Sequence, residues 1–204
     1  LILFGGTFDP VHCGHLHVAR SAGAQLSCAV HLLIAPRPQL RQPCVASYED
    51  RWAMLQLACQ PDPMLIPFDF EQTVPGPTHT ITTLELLRQT TGENFVWILG
   101  SDVLMKVHLW HRTDELPDWL SFFVFQRPGF RTVDLPQNFL QTHDARELSQ
   151  RPGLIHVSPN PMLALSGSQI RHLHKRGKEI KSFVTAPVYD YIISKHLYRP
   201  KDSC

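Results

Sequence analysis

Two histidines three residues apart, His12 and His15, follow a run of small and turn-forming residues, Gly5-Gly6-Thr7-Phe8-Asp9-Pro10-Val11, and open an amphipathic stretch. The apolar segment Leu1-Ile2-Leu3-Phe4 precedes them, so the pattern predicts a strand, a glycine turn and a helix. A helix entered through glycines aims unpaired N–H groups and the positive end of its dipole at one spot, which suits a phosphate brought close to the backbone. Residues three apart on a helix are neighbours, so both imidazoles can face that anion, with Gly14 leaving space between them. The stretch has neither the G-x-x-x-x-G-K-[ST] of a P-loop nor the G-x-G-x-x-G of a dinucleotide fold. His12, Cys13, His15 and His17 are metal-ligating types, yet no carboxylate or cysteine partner accompanies them at ligand spacing. The expectation is a phosphate site built on imidazoles, with no protein-bound metal.

A second terminus of the same kind lies near the other end of the chain. Leu165-Ser166-Gly167-Ser168-Gln169-Ile170-Arg171 reads as a helix start, with hydroxyls in the first turn, a guanidinium one turn on and a stop at Gly177. Taken alone, capping by Ser166 beside a solvated Arg171 accounts for it. Beside the first motif, the two termini could clamp both ends of a triphosphate. That suits nucleotidyl transfer at an α-phosphate with pyrophosphate leaving.

The elements that must hold these residues alternate along the chain. After the first strand and helix, residues 29–35 form a continuous apolar run of buried-strand type, and a proline-rich loop follows over 36–46. Ser47 with Asp50 predicts a capped helix presenting Trp52, Leu55 and Cys59 on one face. Residues 64–70 read as a strand whose Pro67 suits an edge or a bulge, and 78–91 as a helix with Ile81, Leu84 and Leu87 inward. Residues 95–99 form another buried strand ending at Gly100-Ser101-Asp102, 121–126 a further one, and 154–158 the last, after a polar, irregular connection over 130–150. Such alternation predicts an α/β fold, a parallel sheet with right-handed crossovers, and ligands gathered beyond the carboxyl ends of its strands.

The whole-chain properties narrow the function classes. At 204 residues, with 43% hydrophobic and 18% charged residues, the chain suits a single globular domain over 1–204. A net charge of +1 argues against bulk electrostatic binding of nucleic acid or membrane, so a phosphate ligand must be held locally. Five cysteines without a C-x-x-C pair argue against a disulfide framework and fit a reducing cytosol, hence a cytoplasmic location. No run reaches the length of a membrane span or shows a signal-peptide pattern, and because Leu1 is not a natural start a few residues are expected before it. The oligomeric state is left open, homo-oligomers included.

The full first motif resembles that of the nucleotidyltransferase superfamily in the form found in bacterial nicotinate mononucleotide adenylyltransferases. The segment from Leu165 is similar to the I-S-S-T-x-I-R element of that family, with Leu165 and Gly167 as departures and Ser166, Ser168, Ile170 and Arg171 as matches. Further pieces agree in order: Arg51 after Ser47, Pro77-Thr78-His79-Thr80, Gly100-Ser101-Asp102 with Trp110, Arg127-Pro128-Gly129, and Tyr191-Ile192 near His196-Leu197-Tyr198. The resemblance thus covers almost the whole chain. It implies a Rossmann-like parallel sheet with helices on both faces and a small C-terminal helical part. It implies AMP transfer from ATP to nicotinate mononucleotide, yielding nicotinate adenine dinucleotide and pyrophosphate in NAD biosynthesis, with Mg²⁺ carried by ATP.

By position, the resemblance implies catalytic roles for His12, His15 and Arg171. It assigns ATP to Gly5, Gly6, Thr7, Phe8, His12, His15, Gly100, Asp102, Ser166, Ser168, Ile170 and Arg171. Asp102 and Gly100 would meet the ribose. The acceptor would meet Arg41, Thr80, Ile81, Trp110, His111 and Arg127, with Trp110 stacked on the pyridine and backbone N–H groups near Ile81 and His111 on its carboxylate. Two departures bear on that end: His79 stands where the family has a tyrosine, and Leu40 replaces an imidazole in the loop Pro38-Gln39-Leu40-Arg41. Arg41 keeps the charge of that loop, in a different geometry from lysine. Other acceptors, nicotinamide mononucleotide or phosphopantetheine, and a nucleotide-binding regulator without chemistry are the competing readings.

Overall fold

Alternation within each strand sorts the core into two layers. On β1 (Ile2–Gly6), Ile2 and Phe4 face one apolar cluster and Leu3 the other; on β4 (Phe95–Gly100), Val96 and Ile98 join the first, and Phe95, Trp97 and Leu99 the second. Strands buried on both faces must be covered on both, and they are. One layer carries α1 (Cys13–Leu26), α2 (Tyr48–Cys59), α5 (Gly167–Lys175) and α6 (Ala186–Ser194); the other carries α3 (Thr80–Thr91) and the short α4 (Ser101–Leu104). The computed structural model describes residues 1–38, 43–74, 76–92, 94–127 and 135–199.

The remaining strands are β2 (Val30–Ile34), β3 (Leu65–Phe68), β5 (Leu120–Phe125), β6 (Leu140–Thr142) and β7 (Leu154–Ser158). All pairings in the seven-stranded sheet are parallel, in the order β3-β2-β1-β4-β5-β7-β6. The chain runs outward from β1 to β3, returns to β4 on the other side of β1 and runs outward again, so the topological switch point lies between β1 and β4. A crevice at the carboxyl ends of those two strands is where ligands of such sheets bind. The sheet is that of a single α/β domain. Among the described residues no helix is long and apolar enough to cross a membrane.

Several expectations need correction. The connection over 130–150 holds a strand, β6, and a 3-10 turn, Ala145–Ser149. Leu140 and Gln141 are exposed, so β6 has no inward alternation to betray it and exists through its pairing with β7. Helix α2 buries Met54, Leu55, Ala58, Cys59 and Arg51, with Trp52 only half-buried. Pro67 does lie on an edge strand, as its missing N–H requires. The small C-terminal helical part is present as expected and packs into the main core, where Ile170, Ile180, Val188 and Ile192 are fully buried and α6 packs on α2.

Candidate functional site

The two glycines that end β1 serve packing more than ligand approach. A Cβ on Gly5 would stand 2.7 Å from the Trp97 ring, and one on Gly6 would stand 2.9 Å from the Phe8 ring, so aromatic rings already fill both positions. Phe8 is fully buried with φ +49°, a left-handed conformation that costs a bulky residue energy and turns the chain sharply toward α1. Its side chain is unavailable to a ligand. The Thr7 carbonyl accepts from Arg51 Nη1 at 2.7 Å, and the same guanidinium serves Ala35 O at 2.9 Å and Pro36 O at 3.3 Å. Arg51 is 1% exposed, so a buried cation ties the turn after β1 to the loop after β2. A reading of α2 by apolar periodicity misses it, because arginine is scored as surface.

His12 and His15 cap α1 reciprocally. The His15 N–H donates to His12 Nδ1 and the His12 N–H to His15 Nδ1, each at 3.3 Å, and the rings stack with centroids 3.6 Å apart. It is a capping box made by imidazoles. Because the His12 Nδ1 accepts, the proton of its neutral ring is assigned to Nε2. His12 is 4% exposed; burial, and secondarily the charge of Arg127, push it down to about 4, so it is neutral near pH 7. Phe4 and Phe8 pack edgewise or tilted on His15, with centroids 5.9 and 5.0 Å away, and hold its ring in place.

The second terminus comes to the same spot. Ser166 caps α5, its Oγ accepting from Gln169 N–H at 3.3 Å. A Cβ on Gly167 would stand 2.8 Å from the Asp9 carbonyl, so the departure at this position is what lets α5 approach the backbone ahead of α1. Arg171 Nη1 donates to that carbonyl at 2.5 Å and lies 3.6 Å from Asp9 Oδ2, while Nη2 donates to Ser168 Oγ at 3.3 Å. Ser168 and Arg171 therefore act together. Ile170 is fully buried in the core, so its side chain is unavailable to a nucleotide. Asp9, which the residue pattern did not single out, joins the two termini.

Across the switch point, the Asp102 side chain folds over Gly100, where a Cβ would meet Asp102 Oδ1 at 2.6 Å and Met162 Sδ at 3.0 Å. Asp102 Oδ2 accepts from Arg127 Nη1 at 2.5 Å, and buried Ser101 accepts the Arg127 N–H at 3.0 Å. The Arg127 charge also acts on His12, across the switch point. Trp110 is half-buried, meeting Trp97 and Phe122 edge to face at 6.2 and 6.3 Å. The ring of exposed His111 lies 4.6 Å from that of His79, the residue preceding α3. Among the described residues no side chain caps α3, and its first turn, with half-buried Thr80 and fully buried Ile81, holds no acidic residue. Among the described residues its first-turn N–H groups thus lack a side-chain acceptor. Buried Glu71, also missed, accepts from Thr83 Oγ1 at 2.9 Å beneath that turn, and burial raises its pKa. Arg41 and Leu40 lie outside the described residues.

A sequence model of the cytidylyltransferase-like family matches residues 3–183. A curated "probable nicotinate-nucleotide adenylyltransferase" of Yersinia pestis (strain Pestoides F) is 34% identical, over 97% of this chain and 94% of its own. One of the same name from Serratia proteamaculans (strain 568) is 35% identical, with the same two coverages. Among solved structures, the Plasmodium falciparum nicotinic acid mononucleotide adenylyltransferase complexed with NaAD superposes with a TM-score of 0.73 at 18% identity, covering 97% of this chain and 96% of that one. The same protein complexed with APC gives 0.71.

Proposed function

The chain belongs to the cytidylyltransferase-like family and, within it, to the nicotinate-nucleotide adenylyltransferases, and from that premise we propose how its residues divide the work. The reaction transfers AMP from ATP to nicotinate mononucleotide, a step of NAD biosynthesis. A phosphate oxygen of the acceptor attacks the α-phosphorus in line, the bond to the β-phosphate breaks, and pyrophosphate leaves with the electron pair. The acceptor phosphate is already a nucleophile, so the protein supplies alignment and charge stabilisation.

The imidazoles of His12 and His15 serve the α-phosphate as charge builds there, and Arg171 with Ser166 and Ser168 holds the β- and γ-phosphates. The observation that carries this reading is the junction of the two helix termini at Asp9 and Gly167, which brings both donor sets to the carboxyl end of β1. Mg²⁺ would come with ATP as part of the substrate and would offset phosphate charge, while the residues above hold the phosphates. Gly100 and Asp102 border the adenosine ribose. The open first turn of α3 receives the nicotinate carboxylate through the backbone at Thr80 and Ile81, with Trp110 against the pyridine and His111 and Arg127 at its rim. A cytoplasmic location agrees with the free thiols of Cys13, Cys28 and Cys59.

Pyrophosphate release measured with ATP and each of three acceptors tests the assignment. Nicotinate mononucleotide should exceed nicotinamide mononucleotide by about a hundredfold or more in kcat/KM, because an amide leaves N–H donors unpaired, and phosphopantetheine should be inert. Equal rates with acid and amide would overturn the acceptor assignment, and no release with any acceptor would overturn the reaction.

A further inference from the structure

We propose that Asp9 and Tyr198 are positioning residues for Arg171, so that a hydroxyl near the far end of the chain sets how tightly the triphosphate of ATP is held. The inference rests on the assignment of Arg171 to the triphosphate made above. Asp9 is 5% exposed and its carboxylate takes three donors: Oδ2 the Val45 N–H at 2.8 Å, and Oδ1 the Ala46 N–H at 3.1 Å and the Tyr198 hydroxyl at 2.8 Å. That arrangement holds the carboxylate back from Arg171, whose Nη1 stays 3.6 Å from Oδ2 while donating to the Asp9 carbonyl.

The contacts to Asp9 O and Ser168 Oγ orient the planar guanidinium, leaving others of its five N–H groups for a ligand. Tyr198 is built for the donor role. Its ring is buried in the core, its backbone is held at φ +61°, a strained value for a tyrosine, and burial together with the charge of Asp9 raises its phenol pKa, keeping the proton on the oxygen. Without that hydroxyl, Oδ1 loses a donor, and the carboxylate can turn toward the nearest cation, Arg171. Arg171 then draws closer to Asp9 than its present 3.6 Å, at the expense of phosphate.

The test is calorimetric titration of the full chain with MgATP and with AMP, without acceptor. Tyr198→Phe keeps the ring and removes the donor, and AMP, which lacks the β- and γ-phosphates, reports whether the nucleoside site is intact. Tyr198→Phe should weaken ATP by about three- to tenfold, the range of one hydrogen bond, with AMP affinity unchanged. In an Arg171→Ala background it should have no further effect on ATP. An unchanged ATP affinity, equal weakening of ATP and AMP, or the same loss persisting without Arg171 would each overturn the proposal. A chain that shows these ATP effects yet turns over no acceptor would sink the proposed reaction and leave this inference standing.

Discussion

At one end of the crevice, α1 and α5 begin with side chains that satisfy their own first turns: His12 and His15 for α1, Ser166 for α5. At the other end α3 begins at Thr80 after an extended His79, with no side-chain cap among the described residues. The closed termini hold their donors in fixed places before any ligand arrives, which suits charge that appears only in a transition state. The open terminus offers N–H groups whose partner must come from outside, so the ligand does the capping and the energy depends on its chemistry. On the proposed assignment, stabilising the reaction and choosing an acceptor fall to differently built regions.

The largest effect expected at the closed end is on folding. His12 titrates at about 4 in the folded protein and near 6.5 when unfolded, so between those values the unfolded chain binds a proton that the folded one refuses. Stability is then full above about pH 6.5 and falls as pH drops toward 4, by at most about 3 kcal/mol at 1.36 kcal/mol per pKa unit. His12→Asn can still cap but does not titrate, and denaturant unfolding at pH 7 and pH 4.5 should show it losing less over that interval than the unmodified chain. Other buried histidines, such as His156, are common to both chains and cancel. Equal losses would mean that the cap is not held neutral.

Next in size is the chemical step. His15→Ala should lower kcat by about a hundredfold or more while shifting ATP affinity only a few-fold, since a preorganised donor counts most where charge develops. Near-normal kcat in a folded variant would break the contrast at its catalytic side. The smallest effect belongs to the open end. Trp110→Ala should raise the acceptor KM about fivefold, from about 1 kcal/mol of stacking, and leave ATP affinity alone. Its acid-over-amide preference should persist, because the discriminating donors are on α3; loss of that preference would move specificity from the helix to the indole.

The closed end was also the more legible in the sequence. Its donors lie in two short runs, His12 to His15 and Ser166 to Arg171, and local spacing alone puts each run at a helix start. What joins them is not local: Asp9 meets Ala46, Arg171 and Tyr198 from three separate parts of the chain, and Arg51 is buried because three backbone carbonyls surround it. The open end is assembled from residues near 80, 102, 110 and 127, and its imidazole pair, His79 with His111, is visible only once the chain is folded. β6 was hidden for the same reason, since pairing rather than pattern makes it a strand.

The bond from Tyr198 to Asp9 spans 189 positions, and β1, inside the sheet, pairs with a strand that begins at Phe95. During synthesis the histidine motif therefore leaves the ribosome long before either partner exists. At roughly 5–20 residues per second, the wait before Tyr198 emerges is on the order of ten seconds or more. Until then Asp9 lacks one of its donors, and until β4 is made β1 has only β2 to pair with. A chain stopped a few residues short of Tyr198 would carry both phosphate motifs but not the hydroxyl that joins Asp9, so the site is complete only after Tyr198 has been made.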